Sequence, residues 1–228
     1  MAEVFLPIIF SIIIGITYYL SNRFSIRKKD HEKKLMSFSA GVSITYVLLE
    51  LFPSFTEVAL GINKLLFISI PFGFLVHHLI EKYIYKHNNR HDLVKMLSLE
   101  ERTFSFIYHI ILGIVLVTIF SASTIQGTLL AFTILTFTFV STLPTYRHKS
   151  HFKSMILSSA TTFGVIIAAF IWKNIPIWIQ TTLVGIVTGV LLFTVIRHHI
   201  PFGKKGKIGY FTIGFLLFTT LIVISWYF

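Results

Sequence analysis

Imidazole, carboxylate and hydroxyl groups inside apolar stretches are the residues of this chain with most chemical leverage, because little water competes for them there. His109 stands alone in FSFIYHIILGIVL, residues 104 to 116. Its imidazole could ligate a metal or serve a conduction pathway, or it could face a bundle interior and bond a neighbouring hydroxyl or carbonyl. Thr138, Ser141, Thr142 and Thr145 fall at helical spacing on one face of a second apolar stretch. They offer a polar track for a hydrated or neutral solute, or small residues that let helices approach and bond back to their own backbone. The pairs His77-His78 and His198-His199 close two other apolar stretches, and His148 and His151 lie in a connecting segment. Gathered together, they would form a metal-binding or proton-sensing cluster, although adjacent helical residues diverge and at most one of each pair could face a common site.

The elements that must position these groups are membrane helices. Of 228 residues, 54% are hydrophobic and 13% charged, and the mean hydropathy is +0.79. That balance lies far outside the range of soluble domains. Nearly charge-free runs long enough to span a bilayer occur at about 4–21, 35–53, 58–80, 103–122, 126–146, 154–172, 175–197 and 208–227. The first is read as a true span, since MAEV lacks the positive flank of a signal peptide and the apolar core is too long for one. There is no cysteine, which excludes disulfides, thiolate ligands and thiol nucleophiles.

The net charge of +11 follows from where the cations sit. Arg23, Arg27, Lys28, Lys29, Lys33 and Lys34 lie between the first and second runs. Lys82, Lys86, Arg90, Lys95 and Arg102 lie between the third and fourth, Arg147, Lys149 and Lys153 between the fifth and sixth, and Arg197, Lys204, Lys205 and Lys207 around the seventh connection. Only Lys64 and Lys173 remain for the alternate loops. The positive-inside rule then puts the basic loops in the cytoplasm of a cell membrane and both termini outside it. Anionic lipid accounts for the basic surplus, so nucleic acid is not an expected partner.

Span two, LMSFSAGVSITYVLLELFP from Leu35 to Pro53, has a counterpart 148 residues later in LVGIVTGVLLFTVIRHHIP from Leu183 to Pro201. The pairs Gly41-Val42 and Gly189-Val190 stand equally far before Pro53 and Pro201, and GFLVHHLI from Gly73 is answered by GFLLFTTLI from Gly214. The members of each pair cross in opposite directions under the orientation just derived. This is the mark of an inverted repeat, three helices on either side of a central pair, with a substrate site expected at the midplane.

With this arrangement, with SAGVSITYVLLELFP in span two and with TGVLLFTVIRHHIP followed by a basic loop in span seven, the chain resembles the ZIP family of zinc and iron transporters. The resemblance implies an all-α integral membrane domain over residues 1–228, eight transmembrane helices in a 3 + 2 + 3 bundle, and a homodimer. It implies a metal site built from His-Asn-x-x-Glu-Gly or His-Ser-x-x-Asp-Gly on the fourth helix and His-Glu-x-Pro-Glu on the fifth. Aligned on the glycine, YHIILG puts Tyr108 at the histidine, His109 at the Asn or Ser, and Leu112 at the acid; moving His109 to the histidine position puts Gly113 at the acid. Aligned on Pro144, Ser141, Thr142 and Thr145 replace His, Glu and Glu. Spans four to six contain no Asp or Glu, so no alignment restores the carboxylates. A pathway of Tyr108, His109, Ser141, Thr142 and Thr145 would hold a divalent ion weakly, with His109 as its one strong ligand. Glu50, the one acid inside a predicted span, sits just before Pro53 and is either a candidate entrance residue or a snorkelling surface carboxylate within reach of Lys64.

The expectation is therefore a ZIP-like permease with a degenerate metal site, moving zinc, a related divalent metal or another small solute as substrate and carrying no resident cofactor. The alternative is a non-transporting pseudo-transporter that serves as a membrane scaffold or regulator. An enzyme is not expected, because no acid partner accompanies His109.

Overall fold

The computed structural model describes residues 2–23, 29–87, 90–141, 151–172, 174–199 and 207–227. Among them every regular element is helical. In order these are α1 (Ala2–Arg23), α2 (Lys29–Tyr46), a π turn at Val47–Leu51, α3 (Phe52–Ile62), a 3₁₀ turn at Lys64–Ile68 and α4 (Ser69–His87). Then follow α5 (Arg90–Ala122), α6 (Thr124–Ser141), α7 (His151–Ser158), α8 (Ala160–Ile166), a π turn at Ile167–Ile171, α9 (Ile177–Thr194), a π turn at Val195–His199 and α10 (Ile208–Ser225).

Six helical segments are long and apolar enough to cross a membrane: Val4–Ser21, Lys33–Ile62, Lys64–His87, Thr103–Ala122, Ile177–Arg197 and Ile208–Ser225. Thr124–Val140 and Ala160–Ile171 are apolar but shorter. A multi-pass membrane protein is built this way, because helices satisfy their backbone internally where water is absent. The surface agrees: α10 buries Gly214, Phe218 and Ile222 while exposing Ile213, Leu216, Leu217, Leu221 and Ile224.

The second and third runs divide differently from the hydropathy reading. Pro53 does not end a helix; α2, the π turn and α3 run on without a break to Ile62. A proline ring ordinarily collides with the carbonyl four residues back, but the wider turn, closed by Phe52 N–H to the Val47 carbonyl, precedes it. The break falls at Asn63, which is extended and whose side chain accepts from the Leu65 N–H at 2.9 Å. The stretch 81–102, read as a loop, is largely helical, since α4 continues to His87 and α5 starts at Arg90.

The helices meet through glycine. On α2, a Cβ at Gly41 would strike the Phe211 carbonyl and the Phe215 nitrogen of α10; on α9, one at Gly189 would strike the Ile70 carbonyl and the Phe74 nitrogen of α4. Reciprocally, Gly214 lies on the Phe38 carbonyl and Gly73 on that of Ile186. Phe38 and Ile186, like Gly41 and Gly189, are 148 residues apart; Gly73 and Gly214, Ile70 and Phe211, and Phe74 and Phe215 are each 141 apart. The α2–α10 and α4–α9 interfaces are thus the same contact made twice. The π turns at Val47–Leu51 and Val195–His199 share the 148-residue spacing. A third close approach joins α5 to α8, with Gly113 on Thr161, Gly164 and Val165, and Gly164 on Ile110. Such small-residue contacts supply packing where lipid leaves no hydrophobic drive between helices.

Candidate functional site

His109 is buried in α5. Its Nδ1 lies 2.7 Å from the Ser105 carbonyl and 3.2 Å from the Ser105 hydroxyl. A carbonyl only accepts, so Nδ1 carries the proton and donates, leaving Nε2 as the lone-pair nitrogen of the neutral ring. Nε2 is buried without a partner among the described residues, and the Tyr18 ring of α1 meets the imidazole edge-on at 5.7 Å. A backbone carbonyl on one nitrogen and a free lone pair on the other is the arrangement of a metal-ligating histidine.

The surroundings supply little else for a metal. Tyr108 is buried, and its hydroxyl has no partner among the described residues. Leu112 fills the core, and the α8 backbone occupies the space where Gly113 would need a side chain. At the first alternative for the family's acid an apolar side chain stands in its place, and at the second the backbone leaves no room for one. Ser141 ends α6 and its side chain lies outside the described set, as do Thr142 and Thr145 entirely; Thr138, one turn before Thr142, is buried. No group of three or more His, Cys, Asp or Glu residues close enough to hold a metal occurs among the described residues.

The histidine pairs are placed unequally. The His77 ring stacks on Phe104 of α5 at 4.3 Å and tilts against Phe193 of α9 at 4.8 Å, so it acts as an aromatic packing group between helices. His78 is exposed, its ring 5.7 Å from that of Phe193. His198 and His199 close the π turn after α9, and His151 opens α7, but their side chains lie outside the described set, as does His148 entirely.

Glu50 is 4% exposed, so the snorkelling reading does not describe it. It lies in the π turn, where its carboxylate accepts a long hydrogen bond of 3.4 Å from the Trp226 indole N–H and has the Gln126 side chain beside it. Lys64 is exposed beyond the end of α3, about 20 Å farther along the helix axis. A second acid, Glu81 on α4, is buried and bridged by Arg197 at 3.2 Å. One polar link therefore ties α2 to α10 and another ties α4 to the turn following α9.

Sequence reasoning missed the neighbours of Glu50. Ser39, Ser43 and Tyr46 are at most 1% exposed, and none of their hydroxyls has a partner among the described residues. Each such group costs about 1–3 kcal/mol. Many other hydroxyls bond back to their own helix, as Thr45 does to Gly41, Thr133 to Leu129 and Thr188 to Val184 at 2.7–2.9 Å. The recurrence at intervals of four, three and four residues, ending on the one acid inside a predicted span, was the available signal. Trp226 and Gln126 carried no such mark.

Compared with known proteins, the chain matches no family model, and no curated protein is significantly similar to it.

Proposed function

We propose that the chain is a membrane transporter built as an inverted repeat. One half comprises α1, α2–α3 and α4, the other α7–α8, α9 and α10, with α5 and α6 as the central pair. All eight units cross a cell membrane, the termini lie outside, and the basic loops face the cytoplasm. The observation that carries this reading is the doubled contact, in which the Gly41 and Gly214 approaches recur at Gly189 and Gly73 together with equally spaced π turns. Two equivalent halves around a polar-lined centre allow the halves to rock and expose that centre alternately to either side.

The cargo is a small cation, of the divalent class that the ZIP resemblance implies, held weakly by the Nε2 lone pair of His109. Lone-pair availability supports a ligand role, whereas the absence of acids from residues 103–172 sets the affinity low. The test is uptake of zinc, iron, manganese and cadmium into proteoliposomes by the parent and by His109→Ala. At least one metal should enter with the parent, and entry should fall to the empty-liposome rate with the variant. No entry of any metal with a folded parent would contradict the proposal and favour a non-transporting scaffold or regulatory protein.

A further inference from the structure

We infer that the stripe of Ser39, Ser43, Tyr46 and Glu50 on α2 and its π turn binds one monovalent cation, sodium or a proton, with Glu50 as its counter-charge.

At 100° per residue Ser39, Ser43 and Tyr46 fall within an arc of about 60°, Glu50 follows in the π turn, and the four extend for about 16 Å, roughly half the depth of a bilayer core. Ser37, Gly41 and Thr45 occupy another face of the helix. That face meets α10 and is closed to a ligand: Thr45 bonds back to the Gly41 carbonyl, Ser37 accepts from the Lys207 N–H at 3.2 Å, and Gly41 touches the α10 backbone. Two faces of one helix thus carry hydroxyls, and the unpartnered ones form the line leading to the carboxylate.

A purely structural role would be expected in both halves of a repeat. The positions 148 residues on are Val187, Leu191, Thr194 and His198, so the serines and the acid belong to one half only. Packing of the doubled interface does not require them.

Charge and donor type decide the ligand. Tyr46, one turn before Glu50, is the titratable neighbour on the same face. The elements packed on this segment add Gln126 from α6 and Trp226 just after α10, both neutral. α6 and α9 carry no ionisable side chain, and the one ionisable group of α10, Tyr210, lies at its opposite end. Glu57 on α3 is exposed. Arg197, in the π turn at Val195–His199 against α2, is engaged by Glu81; the side chains of His198 and His199 there are outside the described set. One carboxylate therefore faces neutral groups, and a single positive charge balances it. A divalent ion would leave a net charge in the bilayer. The donors along the stripe are hard oxygens, suited to sodium or a proton rather than to zinc.

Trp226 supplies a direct reporter, because its indole touches the Glu50 carboxylate. The full chain with Trp172→Phe and Trp178→Phe, both at exposed positions, keeps Trp226 as its sole tryptophan. In nanodiscs its emission is followed in one arm as sodium chloride replaces choline chloride at constant pH, and in the other as pH is varied in choline chloride. A saturable change in the first arm identifies sodium, and one in the second alone identifies a proton. In either case Glu50→Gln, which keeps the size of the side chain, abolishes it, and Tyr46→Phe moves its midpoint about five-fold, the equivalent of one hydrogen bond. A flat response in both arms, an equal response in Glu50→Gln, or a response to added zinc alone would overturn the inference. Binding is read without transport, so this result and the uptake result can fail independently.

Discussion

At the scale of single residues, the smallest informative change is a methyl group. Gly41 and Gly189 each face a carbonyl and an amide nitrogen of the neighbouring helix, whereas a Cβ on Gly61 or Gly209 meets nothing within 4 Å. Backbone cannot move aside as a flexible side chain can, so Gly41→Ala and Gly189→Ala should each destabilise the protein by about 1–3 kcal/mol. Gly61→Ala and Gly209→Ala should leave it unchanged or slightly more stable, since alanine favours helix. Thermal unfolding of the four purified variants in one detergent checks this. Equal losses at all four positions would contradict the contact geometry. His109 shows what a sequence conveys about a single residue. A lone imidazole in an apolar run was expected to find a local carbonyl or hydroxyl, and Ser105 provides both. Which nitrogen stays free depends on those bonds, which no residue count reveals.

Among elements, the π turns at Val47–Leu51 and Val195–His199 have the clearest mechanical consequence. A π turn holds one residue more than the α geometry it interrupts, so deleting one residue restores an ordinary helix while keeping the faces on either side in register. Deletion of Leu48, an exposed residue of the first turn, should then drive the Pro53 ring against a carbonyl one turn earlier. The expected cost is about 3 kcal/mol, recovered when Pro53→Ala is added. A deletion as stable as the parent, or one that the alanine does not rescue, would show that the turn has another origin. Hydropathy located most of these helices because burial in lipid and helical periodicity leave strong local marks. It misplaced the boundary between the second and third runs, which it set at about 53–58. The true break, Asn63, is an extended residue whose side-chain bond to the Leu65 N–H starts a 3₁₀ turn. The snorkelling reading of Glu50 failed for a related reason: the tryptophan that covers it lies 176 residues away in sequence.

For the whole molecule, the account rests on two halves of opposite orientation. The spacing of Gly-Val pairs and prolines suggested them, and the α2–α10 and α4–α9 contacts recur at fixed spacings of 148 and 141 residues. The polar contents differ between the halves: a carboxylate with three unpartnered hydroxyls in one, and Val187, Leu191, Thr194 and His198 at the matching positions of the other. Under the proposed transport function, a symmetric scaffold with an asymmetric lining would move between two equivalent shapes while binding its ions on one side of the repeat axis. The chain lacks cysteine, so single thiols can be placed without background. Gly61 and Gly209, 148 residues apart and both open, are the natural pair. The measurement is labelling of Gly61→Cys and Gly209→Cys in intact cells by a membrane-impermeant maleimide, before and after permeabilisation. The account predicts that the thiol at position 61 reacts from outside and that the thiol at position 209 reacts only once the membrane is opened; labelling of both from the same side would contradict it.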